Sequence, residues 1–166
     1  MARVVVLGIG NTARGDDGAG RQAARLLRPL LPGKVEVLEL DGEATAILAG
    51  LENADAAYLI DACVSGSGAP LGTLPPPGTL HRIDAAEGAL PHSRSDISTH
   101  GFGLAGAVEL ARVLGKLPPR CIVYAIEAES FEPGAPLSAA VAAAAVLAAE
   151  RIKTEIEAEE PCTTPP

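Results

Sequence analysis

Apolar positions along the chain follow two rhythms. Val4-Val5-Val6-Leu7, Ala57-Tyr58-Leu59-Ile60 and Cys121-Ile122-Val123-Tyr124-Ala125-Ile126 are unbroken apolar runs of strand length, as expected for strands covered on both faces. Val35-Glu36-Val37-Leu38-Glu39-Leu40 alternates instead, the mark of a half-exposed strand. Between these runs the period becomes helical. Ala19, Ala23, Leu26, Leu27 and Leu30 form one stripe, with Arg21, Gln22, Arg25 and Arg28 facing away. A short helix is expected over Ala44 to Leu51. Leu104, Val108, Ala111 and Leu114 mark the buried stripe of a helix that starts near Ser98-Thr99-His100. Ser138 opens an alanine-rich helix to about Ile156, with Val141, Ala145, Ala148, Ile152 and Ile156 on one face.

Breakers divide these segments. Pro32-Gly33 stops the first helix, and Gly115 with Pro118-Pro119 closes the third. Gly66, Gly68, Pro70 and Pro75 to Pro77 make Ser65 to Gly78 a loop. It leads to an edge strand near Thr79 to Ile83, and a second polar loop spans Ala85 to Ser98. Strands alternating with helices predict an α/β fold. The expected form is a three-layer sandwich, a mainly parallel twisted sheet of about five strands with helices on both faces. Residues 1–156 are expected to form a single domain and 157–166 a disordered acidic, Pro-rich tail.

The chain has 166 residues, a size that fits one domain. Apolar residues make up 48% and aromatics only 2%, which predicts a core of Ala, Leu, Val and Ile. The net charge of −8 repels phosphate backbones and argues against a nucleic-acid partner. Cys63, Cys121 and Cys162 form no C-x-x-C pair, so a structural zinc or redox motif is not expected, and free thiols fit a reducing cytoplasm. Val4 to Gly10 is too short for a signal sequence and Ser138 to Ala149 too short to span a bilayer, so no membrane role is expected.

In open α/β sheets, ligands bind beyond the carboxyl ends of the strands. That directs attention to 11–18, 61–67 and 127–134. Gly8-x-Gly10-x-x-Ala13 is a weak dinucleotide fingerprint, with Glu39 or Asp41 as its acidic partner. Asp16 and Asp17 at the helix start would repel the phosphates that such a site holds. One of the two can cap the helix, which leaves the other to project into the crevice. Asp61 closes an apolar strand. His100 enters a helix, whose positive end favours the neutral, metal-binding imidazole. Converging in one cleft, Asp17, Asp61 and His100 would suit a divalent ion, though that ligand set does not name the metal. No H-E-x-x-H or G-x-S-x-G is present. Cys63 has no evident basic partner and reads as a small buried residue, and His81 and His92 read as surface residues.

Four segments in order carry a resemblance. Gly8-Ile9-Gly10-Asn11 with Arg14-Gly15-Asp16-Asp17-Gly18-Ala19-Gly20 resembles the opening motif of the [NiFe]-hydrogenase maturation proteases. Leu59-Ile60-Asp61-Ala62 resembles their second motif, and Thr99-His100-Gly101-Phe102-Gly103-Leu104 their third. Glu127 to Gly134, followed by Leu137-Ser138, is similar to their late loop and final helix. The likeness runs from Val4 to about Ile152, with departures in the Pro-rich segment between Gly72 and Thr79 and in the acidic tail.

The resemblance implies an aspartic-type-like endopeptidase. Such an enzyme removes the C-terminal extension from the precursor of the [NiFe]-hydrogenase large subunit after nickel insertion. It further implies that Asp17, Asp61 and His100 are the catalytic and metal-contacting positions. The ion there would be nickel supplied by the substrate, in a site that other divalent metals can occupy. A monomer in a transient complex is expected. The alternative is a Rossmann-like nucleotide- or metal-binding module without peptidase activity.

Overall fold

The computed structural model describes residues 2–65, 74–90 and 103–159. His92, His100, Cys162, the expected helix start near Ser98 and the expected disorder of 160–166 therefore lie outside the described residues. Five strands, β1 (Val4–Ile9), β2 (Glu36–Leu40), β3 (Ala56–Cys63), β4 (Leu80–Asp84) and β5 (Arg120–Glu127), form one sheet. Its order is β2-β1-β3-β5-β4. β1 pairs in parallel with β2 and β3, and β3 in parallel with β5. β4 runs antiparallel on the β5 edge, with His81 opposite Ala125 and Ile83 opposite Val123.

Among the described residues, four α-helices cover the sheet: α1 (Ala19–Leu27), α2 (Ala44–Leu51), α3 (Gly103–Val113) and α4 (Ala139–Glu159). Because side chains alternate across a strand, each apolar run feeds two cores. Val6, Tyr58, Ile60, Ile122, Tyr124 and Ile126 pack with α1 and α4. Val5, Leu7, Leu59 and Val123 pack with α2 and α3 on the other face. The expected three-layer α/β architecture is the one observed.

Four local expectations are corrected. The core is not purely aliphatic, since Tyr58 and Tyr124 are among its largest fully buried side chains. Burial is tolerable because each hydroxyl reaches a carboxylate of α4, Tyr58 to Glu159 at 3.2 Å and Tyr124 to Glu155. Leu114 is 54% exposed and does not join the α3 stripe. The helix has already ended, with Gly115 at φ +67 turning the chain and Lys116 N donating back to Ala111 O at 2.8 Å. α1 ends at Leu27, and Arg28–Leu30 tightens into a 3-10 turn at Pro29, which has no N–H to continue the helix. α4 runs on to Glu159, so the first residues of the predicted tail are helical. Among the described residues, no helix is long and apolar enough to cross a membrane.

Candidate functional site

β1 lies between β2 and β3, so the chain leaves it toward one side and returns on the other. The carboxyl ends of β1 and β3 thus flank the topological switch point, where open α/β sheets bind ligands. Two glycines bring the segment after β1 close to β3. A Cβ on Gly10, which has φ +135, would stand 1.8 Å from the Asp17 carbonyl oxygen. A Cβ on Gly20 would stand 2.1 Å from Ile60 O and 2.4 Å from Ile9 O. Only bare backbone permits these approaches, and they set the Gly15–Gly18 turn against the ends of both strands.

Asp17 and Asp61 come together here. Burial pushes the Asp61 carboxyl up to about 8, aided by the negative charge of Asp17 and opposed by the Ala62 N–H, which donates to Oδ1 at 2.9 Å. Burial also raises Asp17, against the pull of the Arg14 guanidinium and of the Asn11 backbone. Arg14 Nη1 stands 3.8 Å from Asp17 Oδ2. Each acid is less willing to ionise than it would be in water, chiefly because it is buried, and Asp61 further because of the Asp17 charge. Asp61 does not end its strand, which continues to Cys63. His100 lies outside the described residues, so the third member of the expected set is not placed.

Neither acid caps α1. Its N-cap position is Gly18, with no side-chain cap bond. Asp16 is 1% exposed and its carboxylate turns toward the far end of the chain. It accepts from Glu129 N at 2.9 Å, Ser130 N at 3.2 Å, Ser138 N at 2.7 Å and Ser138 Oγ at 3.0 Å. Asp16 therefore ties the first loop to the segment between β5 and α4, and Asp17 is left for the crevice.

The dinucleotide pattern loses its acidic partners. Glu39 is engaged by Arg21 at 3.3 Å, Arg25 at 2.8 Å and Arg28 at 3.4 Å. Asp41 accepts the Glu43 N–H at 3.2 Å. Gly8 serves packing, since a Cβ there would meet Ala24 Cβ at 2.5 Å.

One group of residues escapes the sequence reading. Glu127, 3% exposed, accepts from Ser65 N at 3.0 Å, from His81 Nε2 at 2.8 Å and from the Ser65 hydroxyl. Cys63 lies opposite Glu127 in the β3–β5 register, its sulfur within 4.8 Å of the carboxylate and of the His81 ring. His81 is thus no isolated surface residue. The feature that singles out Asp61, a carboxylate at the end of an apolar strand, applies equally to Glu127. No spacing rule reveals that β4 folds back to bring His81 beside it.

Comparison with known proteins agrees with this architecture. A family model described as HycI, hydrogenase maturation protease, matches residues 25–155. The hydrogenase 2 maturation protease of Escherichia coli K12 is 30% identical over 152 residues, covering 90% of this chain and 88% of its own. The structure of the hydrogenase maturating endopeptidase HybD from E. coli superposes with a TM-score of 0.72 at 27% identity, covering 95% of this chain and 94% of that one. A solution structure of an E. coli endopeptidase gives a TM-score of 0.76 at 26% identity over the same shares of the two chains, 95% and 94%. The chain belongs to the hydrogenase maturation protease family and is, as such, a peptidase.

Proposed function

We propose that this protein cleaves the C-terminal extension from a nickel-loaded precursor of a [NiFe]-hydrogenase large subunit, reading the substrate's nickel through Asp17, Asp61 and His100. The observation that carries this reading is the carboxylate pair at the switch point, where the charge of Asp17 helps hold a proton on Asp61. Two crowded acids are relieved by a dication, which displaces that proton and is held by both. An imidazole from His100 gives a mixed oxygen and nitrogen set that nickel accepts, as do other divalent metals.

The ion belongs to the substrate, so the incomplete ligand set acts as a gate. A precursor without nickel leaves the two acids facing each other and gains no anchor. A loaded precursor fixes its scissile peptide over the carboxyl ends of β1 and β3. There the ion can polarise the peptide carbonyl, and a carboxylate of the pair can accept the proton of the attacking water. In this reading the enzyme works in the cytoplasm as a monomer that meets its precursor transiently.

The test is processing of purified precursor. Asp17→Ala and His100→Ala are expected to stop cleavage while the circular dichroism spectrum stays native, and nickel-free precursor is expected to remain uncut. Cleavage at the normal rate by either variant removes that residue from the site, and efficient cutting of nickel-free precursor refutes the gate.

A further inference from the structure

Parity along the strands places a second set of ligating side chains on the sheet. Leu59, Val123 and Ile83 belong to the core under α2 and α3. Two residues further toward the carboxyl ends of β3 and β5, and two back along antiparallel β4, the same face carries Asp61, Ala125 and His81. The next pair on that face is Cys63 and Glu127, directly opposite each other. Three strands therefore bring a thiol, an imidazole and a carboxylate together. Their ligand atoms all lie within 4.8 Å of one another.

We propose that Cys63, His81 and Glu127 form a binding site for a resident divalent ion of the zinc class, separate from the Asp17–Asp61 crevice. Zinc–ligand bonds of about 2.0–2.3 Å put tetrahedral ligand atoms about 3.3–3.8 Å apart, a spacing that small side-chain adjustments reach from atoms within 4.8 Å of one another. Thiolate and imidazole select a borderline-soft ion over magnesium or calcium. One thiolate, one carboxylate and one neutral imidazole balance the charge of a dication, so the bound site is neutral, as a site with Glu127 3% exposed and Cys63 8% exposed requires. Three protein ligands leave one coordination position for water or an outside donor.

The same cluster is poorly arranged as a nucleophilic triad. There the imidazole would stand between thiol and carboxylate, whereas here Glu127 holds His81 Nε2 at 2.8 Å and lies directly opposite Cys63 in the sheet. Burial and the charge of Glu127 push the Cys63 thiol up, which works against a free thiolate. A coordinated ion removes that proton outright. On binding, the thiol releases one proton to solvent, and His81 moves its ring proton from Nε2 to Nδ1 so that Nε2 can ligate. Glu127 exchanges its His81 and Cys63 contacts for the ion and keeps the Ser65 N–H.

Cobalt(II) titration of the chelator-treated full chain tests this site apart from the proposed crevice, whose ligands include no sulfur. One equivalent of cobalt is expected to give a thiolate-to-cobalt charge-transfer band, and zinc is expected to abolish the band by displacement. Cys63→Ala is expected to lose the band, Cys162→Ser and Asp61→Asn to keep it, and Glu127→Gln or His81→Ala to weaken binding by more than about tenfold. The wild-type spectrum stands even if a variant does not fold. Absence of the band in wild type, its survival in Cys63→Ala, or its loss in Cys162→Ser overturns the proposal.

Discussion

Asp16 and Asp17 are neighbours in the chain with opposite surroundings. Asp16 is sealed among donors from Glu129, Ser130 and Ser138, while Asp17 lies within electrostatic reach of the Asp61 carboxylate. Asp16→Ala strands three part-buried N–H groups and is expected to cost about 3 kcal/mol in urea unfolding. A loss under about 1 kcal/mol would mean that those donors find other partners. Asp61 gives a pH prediction of the opposite sign from an ordinary paired acid. Its folded pKa of about 8 lies above the ordinary 3.8, so the native state holds the extra proton between these values and stability falls as pH rises through them. Asp61→Asn is accordingly expected to raise Tm more at pH 8 than at pH 5, and an equal rise at both would contradict the raised pKa. The placement of Asp17 and Asp61 near the carboxyl ends of β1 and β3 was readable because a parallel α/β sheet gathers the positions after its apolar runs at that edge. Glu127 carried the same signal, but its imidazole partner His81 comes from β4, whose reversal no local pattern announces.

At the scale of elements, glycine acts in two distinct ways. Gly20 is inside α1, where intrinsic propensity alone would favour alanine, yet a Cβ there runs into Ile60 O and Ile9 O. Gly20→Ala is expected to destabilise by more than about 2 kcal/mol through overpacking. Gly115 ends α3 at φ +67, with open space within 4 Å of where a Cβ would stand. Gly115→Ala is expected to cost only about 1 kcal/mol, for backbone conformation alone. Thermal unfolding of the two variants checks the order, and the reverse order would refute this assignment. The strands were readable because burial on both faces leaves unbroken apolar runs. Helix ends were less so: Leu114 continues the apolar spacing of α3 but follows its last turn, and Pro29 tightens the end of α1 without changing its hydrophobic rhythm.

Across the whole molecule, α4 is bound to the sheet through Glu155. Arg82 of β4 meets it at 2.8 Å, Arg120 of β5 at 3.0 Å, and the Tyr124 hydroxyl also donates to it. The hydrogen bond from Arg82, with further help from Tyr124 and Arg120, holds the Glu155 carboxyl below its ordinary 4.5 despite partial burial. Stability from this group is present above 4.5 and is lost as pH falls through the lowered folded value. Glu155→Gln is therefore expected to cost about 1 kcal/mol at pH 7, with wild type and variant converging in Tm as pH falls through the lowered folded value; a constant gap would refute the charge-based account. Strand alternation with helices made the layers legible, but sheet order was not, because the same string of elements allows several orders of neighbours. The tie from Asp16 to Ser138 adds a constraint in time. A growing polypeptide exposes its acidic turn early, yet the donors that fix that turn are made only after most of the chain. Competence to cut should therefore arrive late in synthesis, in one step, and a ribosome-bound fragment stopped before Ser138 should carry the acids without the support that positions them.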